Sequence, residues 1–358
     1  MAPSITIAGR KIGSEHPPYV VAEMSGNHNG DIERAFRILE VAKEAGADAV
    51  KLQTYTADTI TLDSDRPEFL IHGGLWDGRR LHELYDKAHT PWEWHAPIFE
   101  RARKIGITVF SAPFDPTAIE LLESLDAPAY KIASPEIVDL PLIRLVAATG
   151  RPLILSTGMA TFEETEAAVA AARDAGAIEI AVLHCVSAYP TPPEEANLAT
   201  IRDLERRLGT VVGLSDHTMD TTVATLAVGL GATLIEKHVT LARADGGVDS
   251  AFSLEPHELA RLVRDARIAH SALGAPAYGP TDSEKGVLKF RRSLYVVADV
   301  AAGEVLTPAS VRSIRPALGL PPRWLDRVLG QRAARDLKRG EPLAADMVEG
   351  GLPDTDDR

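Results

Sequence analysis

The sequence predicts a (β/α)8 TIM barrel followed by a small module of β-strands and short helical turns. Eight short β-branched apolar runs alternate with helical patterns over about 240 residues, the size of such a barrel. The links are short, as parallel strands joined by crossover helices require. The alternation stops near residue 280 of 358, leaving room for a module of about 60 residues but not for another α/β unit.

The apolar runs are 19–22, 49–52, 107–110, 129–132, 152–155, 180–183, 210–214 and 233–235. Helical patterns between them include 31–45, 91–104, 161–175, 198–208 and 221–230. Thr161 with Glu164 three residues on reads as a capping box. Gly46, Gly106, Gly176, Gly209 and Gly231 read as helix stops. A long insert, 55–90, comes after the second run; rich in Asp, Gly and His, it reads as an active-site loop. Trp76, Trp92 and Trp94 lie in or just after it, for core packing or for closure over a sugar. The expected organisation is a barrel over 1–280, a linker over 281–292, the small module over 293–352 and a disordered tail over 353–358.

Composition excludes several classes of function. Lys and Arg number 38 against 51 Asp and Glu, so the formal charge is −13 and nothing favours nucleic acid or an anionic membrane as partner. Hydrophobic residues at 45% and charged residues at 25% are ordinary for a soluble globular protein. The single cysteine, Cys185, precludes an intrachain disulfide. The N-terminus has no apolar core of a signal peptide, and no stretch approaches 18 apolar residues. A cytoplasmic protein is expected.

The residues just beyond each run point to chemistry. The run ends carry Glu23; Lys51 with Gln53; Ser111; Lys131 with Ser134 and Glu136; Ser156 with Thr157; His184 with Ser187 and Tyr189; Ser215 with Asp216 and His217; and Glu236 with His238. One serine at such a place is commonly a cap or turn former. Eight polar ends in succession at the face where barrel enzymes work predict a converging polar pocket. Lys51 and Lys131, with the hydroxyls of Ser134, Ser156 and Ser215, suit a small, strongly anionic substrate. Each lysine could instead pair with Glu23 or Glu136, or one could form a Schiff base. His217 and His238 end neighbouring strands and can share a divalent metal, with open positions for water and substrate. Imidazole suits Mn, Fe, Co or Zn, and oxygen ligands favour Mn or Mg. The turn EMSGNHNG, residues 23–30, is dense in hydrogen-bonding groups including Asn27, and reads as a substrate-binding turn. Cys185 reads as a small core residue.

EMSGNHNG, AVKLQTYTADTITLD, YKIAS with Glu136, LILSTGMA, LHCVSAYPTPPEEANL, VGLSDHT and IEKHVT together resemble the sialic acid synthase family, and FRRSLYVVADVAAGEVLT, SIRPALGLPP and DLKRGEPL resemble its antifreeze-like (SAF) module. The resemblance covers nearly the whole chain. It implies condensation of phosphoenolpyruvate with an N-acetylated amino sugar to give a nine-carbon ulosonic acid. Met24-Ser25-Gly26, Val186-Ser187 and TPWEWHAPIF are similar to the pseudaminic acid synthase branch, which implies a 2,4-diacetamido-2,4,6-trideoxy-L-altrose acceptor. Legionaminic and N-acetylneuraminic acid synthases are the neighbouring branches. The resemblance assigns phosphoenolpyruvate to Lys51, Lys131, Ser134, Ser156, Ser215, Tyr189 and Ser187, the last standing where relatives carry Asn, and metal to His217 and His238. Glu23, Gln53, Asp216 and Glu236 match residues around the sugar and metal, Glu136 suits the cationic centre, and Ala112 stands where a phosphate-contacting Thr is common. Manganese is expected, with magnesium or cobalt as alternatives. Arg315 matches an arginine that the SAF module extends to the sugar of a partner subunit, which implies a domain-swapped homodimer. The remaining alternatives are a Schiff-base aldolase using Lys131 and a non-catalytic sugar-binding barrel.

Overall fold

The computed structural model describes residues 2–352; the expected disordered tail, 353–358, lies outside them. The chain divides into two units, Met1–Gly274 and Ala275–Arg358.

The first unit opens with an antiparallel hairpin, β1 (Ser4–Ile7) and β2 (Arg10–Gly13). Ala8 and Gly9 turn it with φ of +47° and +81°. Eight parallel strands come next: β3 (Tyr19–Glu23), β4 (Ala49–Thr54), β5 (Thr108–Pro113), β6 (Tyr130–Ile132), β7 (Leu153–Ser156), β8 (Ile180–Cys185), β9 (Val211–Asp216) and β10 (Leu234–His238). They close in sequence order, β10 pairing with β3, into a (β/α)8 barrel.

Alternation along each strand sorts side chains into two cores. Tyr19, Val21, Ala49, Phe110, Ala129, Ile154, Ala181, Leu183, Val211 and Leu234 fill the barrel interior, joined by Ile5, Ile7 and Ile12 of the hairpin. The residues between them, such as Val20, Val50, Leu155 and Ile235, pack against the helical layer. Gly213 is glycine for want of room: a Cβ there would lie 2.2 Å from the Leu234 carbonyl oxygen.

Several helices are punctuated chemically. Thr161 Oγ1 accepts from the Glu164 amide while the Glu164 carboxylate accepts from Thr161, capping Phe162–Asp174. Asp115 and Asp139 cap Pro116–Ser124 and Leu140–Ala148, each with a proline in the first turn where its missing N–H costs nothing. Gly106 and Gly209 end Trp92–Ile105 and Thr200–Leu208 in the left-handed conformation. Within the insert, Leu70 bridges Arg80 to form a small hairpin ahead of the helix Leu81–Ala88.

In the second unit an exposed 3-10 helix, Asp282–Phe290, occupies the segment expected to be a plain linker. Beyond it β11 (Ser293–Val296) pairs antiparallel with β12 (Val311–Ile314). Leu294, Leu320 and Leu343 exchange backbone hydrogen bonds at 2.8–2.9 Å, tying three distant segments around a core that includes Val296, Trp324 and Leu337. Arg315 comes directly after β12 in this unit.

Candidate active site

Counting inward positions to the C-terminal end of each strand identifies the floor of the barrel mouth. After the last apolar layer the same parity continues as Glu23 (β3), Lys51 and Gln53 (β4), Ala112 (β5), Lys131 (β6), Ser156 (β7), Cys185 (β8), Ser215 (β9), and Glu236 and His238 (β10). The pleat that buries Leu234 therefore also aims Glu236 and His238 into the mouth.

Parity corrects the expectation that every strand contributes a polar end. Ser111 turns outward, where its hydroxyl lies 2.7 Å from Thr54 Oγ1, so β5 offers only Ala112. His184 also turns outward, Nε2 lying 2.7 Å from the Ala196 carbonyl, while Cys185 takes the inward place. Asp216 comes after inward Ser215, and its carboxylate accepts from Lys237 Nζ at 2.7 Å and from the Thr218 amide at 2.9 Å. Lys237 is itself fully buried and donates to the Thr218 carbonyl as well. Asp216 therefore braces the loop that carries His217 and does not enter the mouth. Asn27 is likewise occupied: Nδ2 donates to the Val239 carbonyl at 2.9 Å and to Ser253 Oγ at 2.8 Å, fastening the EMSGNHNG turn to the exit of β10.

Four charges form the floor. Lys51 Nζ lies 2.6 Å from Glu23 and 3.6 Å from Glu236; Lys131 Nζ lies 3.5 Å from the same Glu236 oxygen. All four side chains are buried. Gln53 Nε2 donates to Glu23 at 2.8 Å, and Ser215 Oγ to Glu236 at 3.4 Å. Burial pushes the Glu23 carboxyl up, against the pull of Lys51. Glu236 is also desolvated, but Lys131 and Lys51 together hold it below the usual range. Burial pushes Lys131 down. For Lys51 the same penalty is outweighed by Glu23 and Glu236, and its ammonium is stabilised. The lysines thus pair with Glu23 and Glu236, and Glu136 is not in these pairs.

A hydroxyl cluster adjoins the floor. The Gly158 amide donates to Ser134 Oγ at 3.0 Å, and a Cβ at Gly158 would meet Ser187 Oγ at 2.1 Å and Ser134 Oγ at 2.7 Å. Glycine here lets two hydroxyls close over the backbone after Ser156. Buried polar atoms near the floor without a hydrogen-bond partner include Ser156 Oγ, Glu136 Oε2, Glu236 Oε2 and Glu23 Oε2, the last in ion-pair contact with Lys51. Such atoms carry a desolvation cost that a bound polar ligand would relieve. Burial raises the Glu136 carboxyl to about 7, against the opposing pull of Lys131. Below that pH it is neutral and above it anionic. Wild-type kcat/KM is accordingly expected to rise through a pH of about 7, and Glu136→Gln to abolish that acid limb; a retained limb in the variant would assign it to another group.

The imidazoles of His217 and His238 face each other with ring centroids 5.3 Å apart. His217 Nδ1 donates to the Val186 carbonyl at 2.9 Å, which leaves its Nε2 lone pair free for a ligand. His238 Nδ1 lies 3.2 Å from Ser25 Oγ. Burial and the neighbouring cations hold His238 well below its ordinary value, so it is neutral, as a ligand must be. Burial disfavours charge on His217 too, but Cys185 and the Val186 carbonyl outweigh it and raise its value. Among the described residues no group of three His, Cys, Asp or Glu is arranged to hold a metal. Two facing imidazoles are donors of the kind that suit a divalent ion, whose remaining positions would fall to oxygen ligands.

Several residues here escape sequence reasoning. Asp249 is buried beside the turn and accepts from the Gly26 amide at 3.4 Å. Its carboxyl is raised by desolvation, with Ser25 opposing. Phe252 lies edge-on to His238 at 4.9 Å and tilted against Tyr189 at 5.0 Å, and Tyr189 lies 4.4 Å from His217. Asp249 and Phe252 come from an aperiodic loop after β10 that gives no period to read; its only signal is DGG with a lone acidic residue beyond it.

Comparison with known proteins gives this geometry a lineage. The NeuB family matches residues 38–278 and the SAF domain matches residues 291–349. The chain is 46% identical over 338 residues to the pseudaminic acid synthase of Helicobacter pylori, covering 94% of this chain and 99% of that one. Identity to the pseudaminic acid synthase of Campylobacter jejuni is 44% over 328 residues, 91% and 95% of the two chains. The N,N'-diacetyllegionaminic acid synthase of Legionella pneumophila is 32% identical over 94% of this chain and 96% of its own. Among solved structures, the N-acetylneuraminic acid synthetase of Leptospira borgpetersenii aligns with a TM-score of 0.72 at 32% identity, covering 81% of this chain and 97% of that one. With a family match over residues 38–278 and relatives similar over more than nine-tenths of the chain, the chain belongs to the NeuB family and carries a SAF domain over residues 291–349.

Proposed function

We propose that this chain is a pseudaminic acid synthase, condensing phosphoenolpyruvate with 2,4-diacetamido-2,4,6-trideoxy-L-altrose to give pseudaminic acid and phosphate. The carrying observation is the 46% identity over 94% of the chain to a relative of that activity. Identity falls to 32% for the relative named for legionaminic acid. Two buried lysines on the floor suit a substrate bearing both carboxylate and phosphate.

The side chains have separable tasks. Lys51 and Lys131 exchange their carboxylate partners for the anionic groups of phosphoenolpyruvate. Ser134, Ser156, Ser187 and Ser215 hold its oxygens, and Tyr189 borders them. Carbon 3 of phosphoenolpyruvate attacks the aldehyde carbon of the open-chain sugar. The aldehyde oxygen takes a proton from solvent water and becomes a hydroxyl, while carbon 2 becomes cationic. Glu136, ionised, stabilises that carbon. Water adds to it and gives its proton to Glu23 or Glu236. The bond from carbon 2 to the bridging oxygen then breaks as the new hydroxyl gives up its proton and becomes the keto carbonyl, and phosphate leaves with the bridging oxygen. His217 and His238 would hold the divalent ion, manganese by preference with magnesium or cobalt as alternatives; when bound it supplies Lewis-acid polarisation of the aldehyde. Gln53 and Asn27 support the sugar's surroundings through Glu23 and the turn. Arg315 of a partner subunit would meet the N-acetyl group in a domain-swapped homodimer. Phosphoenolpyruvate is made inside cells, so this reading puts the enzyme in the cytoplasm.

Isotopic labelling tests the bond order. With 18O in the bridging position of phosphoenolpyruvate, the label is expected in released phosphate. Label retained in the sugar acid would reject cleavage between carbon and oxygen.

A further inference from the structure

The insert after β4 delivers one aromatic ring to the mouth. Its hairpin is tied by hydrogen bonds from the Ile71 amide to the Arg79 carbonyl and from the Gly78 amide to the Ile71 carbonyl, both 2.9 Å. Gly73, Gly74 and Gly78 shape its tip with φ between +73° and +80°. From residue 72 to residue 80 every side chain is exposed except Trp76. A hairpin held for its own stability would bury more of itself; in this one Trp76 is the one side chain of 72–80 drawn in from solvent.

Trp76 Nε1 donates to the Val248 carbonyl at 3.0 Å, so its polar edge is satisfied. Its ring lies 5.6 Å from Tyr189 and 6.4 Å from Phe252, the same rings that flank His217 and His238. The mouth is therefore two-sided. Glu23, Lys51, Lys131 and Glu236 make an ionic floor, and Trp76, Tyr189 and Phe252 make an apolar wall. Trp76 stands one ring further from the histidines than Tyr189 does. A sugar whose reacting carbon lay at the histidines and that extended past Tyr189 would bring its far end to Trp76. Against the Trp76 ring face a hydroxyl would give up hydrogen bonds to water, whereas a deoxygenated carbon would lose nothing.

We propose that Trp76 is a specificity-determining residue: its ring, carried on the insert hairpin, packs against the methyl terminus of a 6-deoxy amino sugar and disfavours the 6-hydroxy counterpart. This rests on the condensation proposed above. The hairpin tip is exposed apart from this ring, so changes at Trp76 leave the barrel cores untouched.

The test compares wild type, Trp76→Ala and Trp76→Phe. Substrates are the 2,4-diacetamido-2,4,6-trideoxy sugar and the same sugar bearing a 6-hydroxyl, with phosphoenolpyruvate varied separately. Wild type is expected to prefer the deoxy sugar by roughly 10- to 100-fold in kcat/KM. In Trp76→Ala that preference is expected to fall to near one, through KM for the deoxy sugar, while KM for phosphoenolpyruvate changes by no more than about twofold. Trp76→Phe should recover most of the preference. Equal losses on both sugars, or a parallel rise in KM for phosphoenolpyruvate, would overturn the assignment. Failure of wild type to turn over either sugar would defeat the proposed condensation instead, which keeps the two failures distinct.

Discussion

Replacing Lys131 with methionine is expected to lower kcat/KM for phosphoenolpyruvate by about 10³-fold with little loss of stability, whereas Lys51→Met is expected to lower both. The difference lies in what each lysine leaves behind. Glu236 lies near both ammonium groups, so removing Lys131 leaves it paired with Lys51. The contact proposed between Lys131 and phosphoenolpyruvate is lost, and truncating one partner of a buried charge pair costs roughly 2–5 kcal/mol in binding. Glu23 is paired with Lys51, and its remaining support is the Gln53 amide. Lys51→Met therefore strands a buried carboxylate, a loss of about 3–5 kcal/mol in stability. The Glu23 carboxyl, already raised by burial, would rise further. A carboxyl whose folded value exceeds its unfolded value binds protons on folding, so the Lys51→Met deficit is expected to shrink as pH falls toward the ordinary carboxylate range. Thermal melts from pH 5 to 8 check this. An equal, pH-independent loss in both variants would contradict the paired floor.

The second large effect is at the histidines. His217→Ala and His238→Ala are each expected to lose metal-dependent turnover on the order of 10³-fold, the scale of several kcal/mol of Lewis-acid assistance. Calorimetric titration with manganese should show binding to wild type and none to either variant. Near-normal turnover in a chelator-treated variant would sink the assignment. Lys237→Met should be milder for the metal than either, since Lys237 acts on His217 through Asp216 and the Thr218 carbonyl.

Much of this is legible in the sequence because strand periodicity is strict. Eight apolar runs specify the barrel, and the polar residues beyond them specify the floor. Strand ends read without parity are misplaced: Ser215 and Asp216, or Phe110 and Ser111, cannot both face inward. The lysines can be placed, but their partners cannot, because Glu236 approaches from a strand 185 positions beyond Lys51. The wall is harder. Trp76 sits in a glycine-rich hairpin and Phe252 in an aperiodic loop, so neither carries a period that reveals its direction. The N-terminal hairpin that contributes Ile5, Ile7 and Ile12 to the barrel core is also hidden, since two four-residue strands are short of a clear pattern.

The central claim is that this mouth joins phosphoenolpyruvate to a diacetamido trideoxy sugar. Phosphate release measured with that sugar and with N-acetylmannosamine, each with phosphoenolpyruvate and manganese, tests it most directly. Rapid release is expected with 2,4-diacetamido-2,4,6-trideoxy-L-altrose and far slower release with N-acetylmannosamine. Preference for N-acetylmannosamine, or phosphate release that needs no sugar, would contradict it.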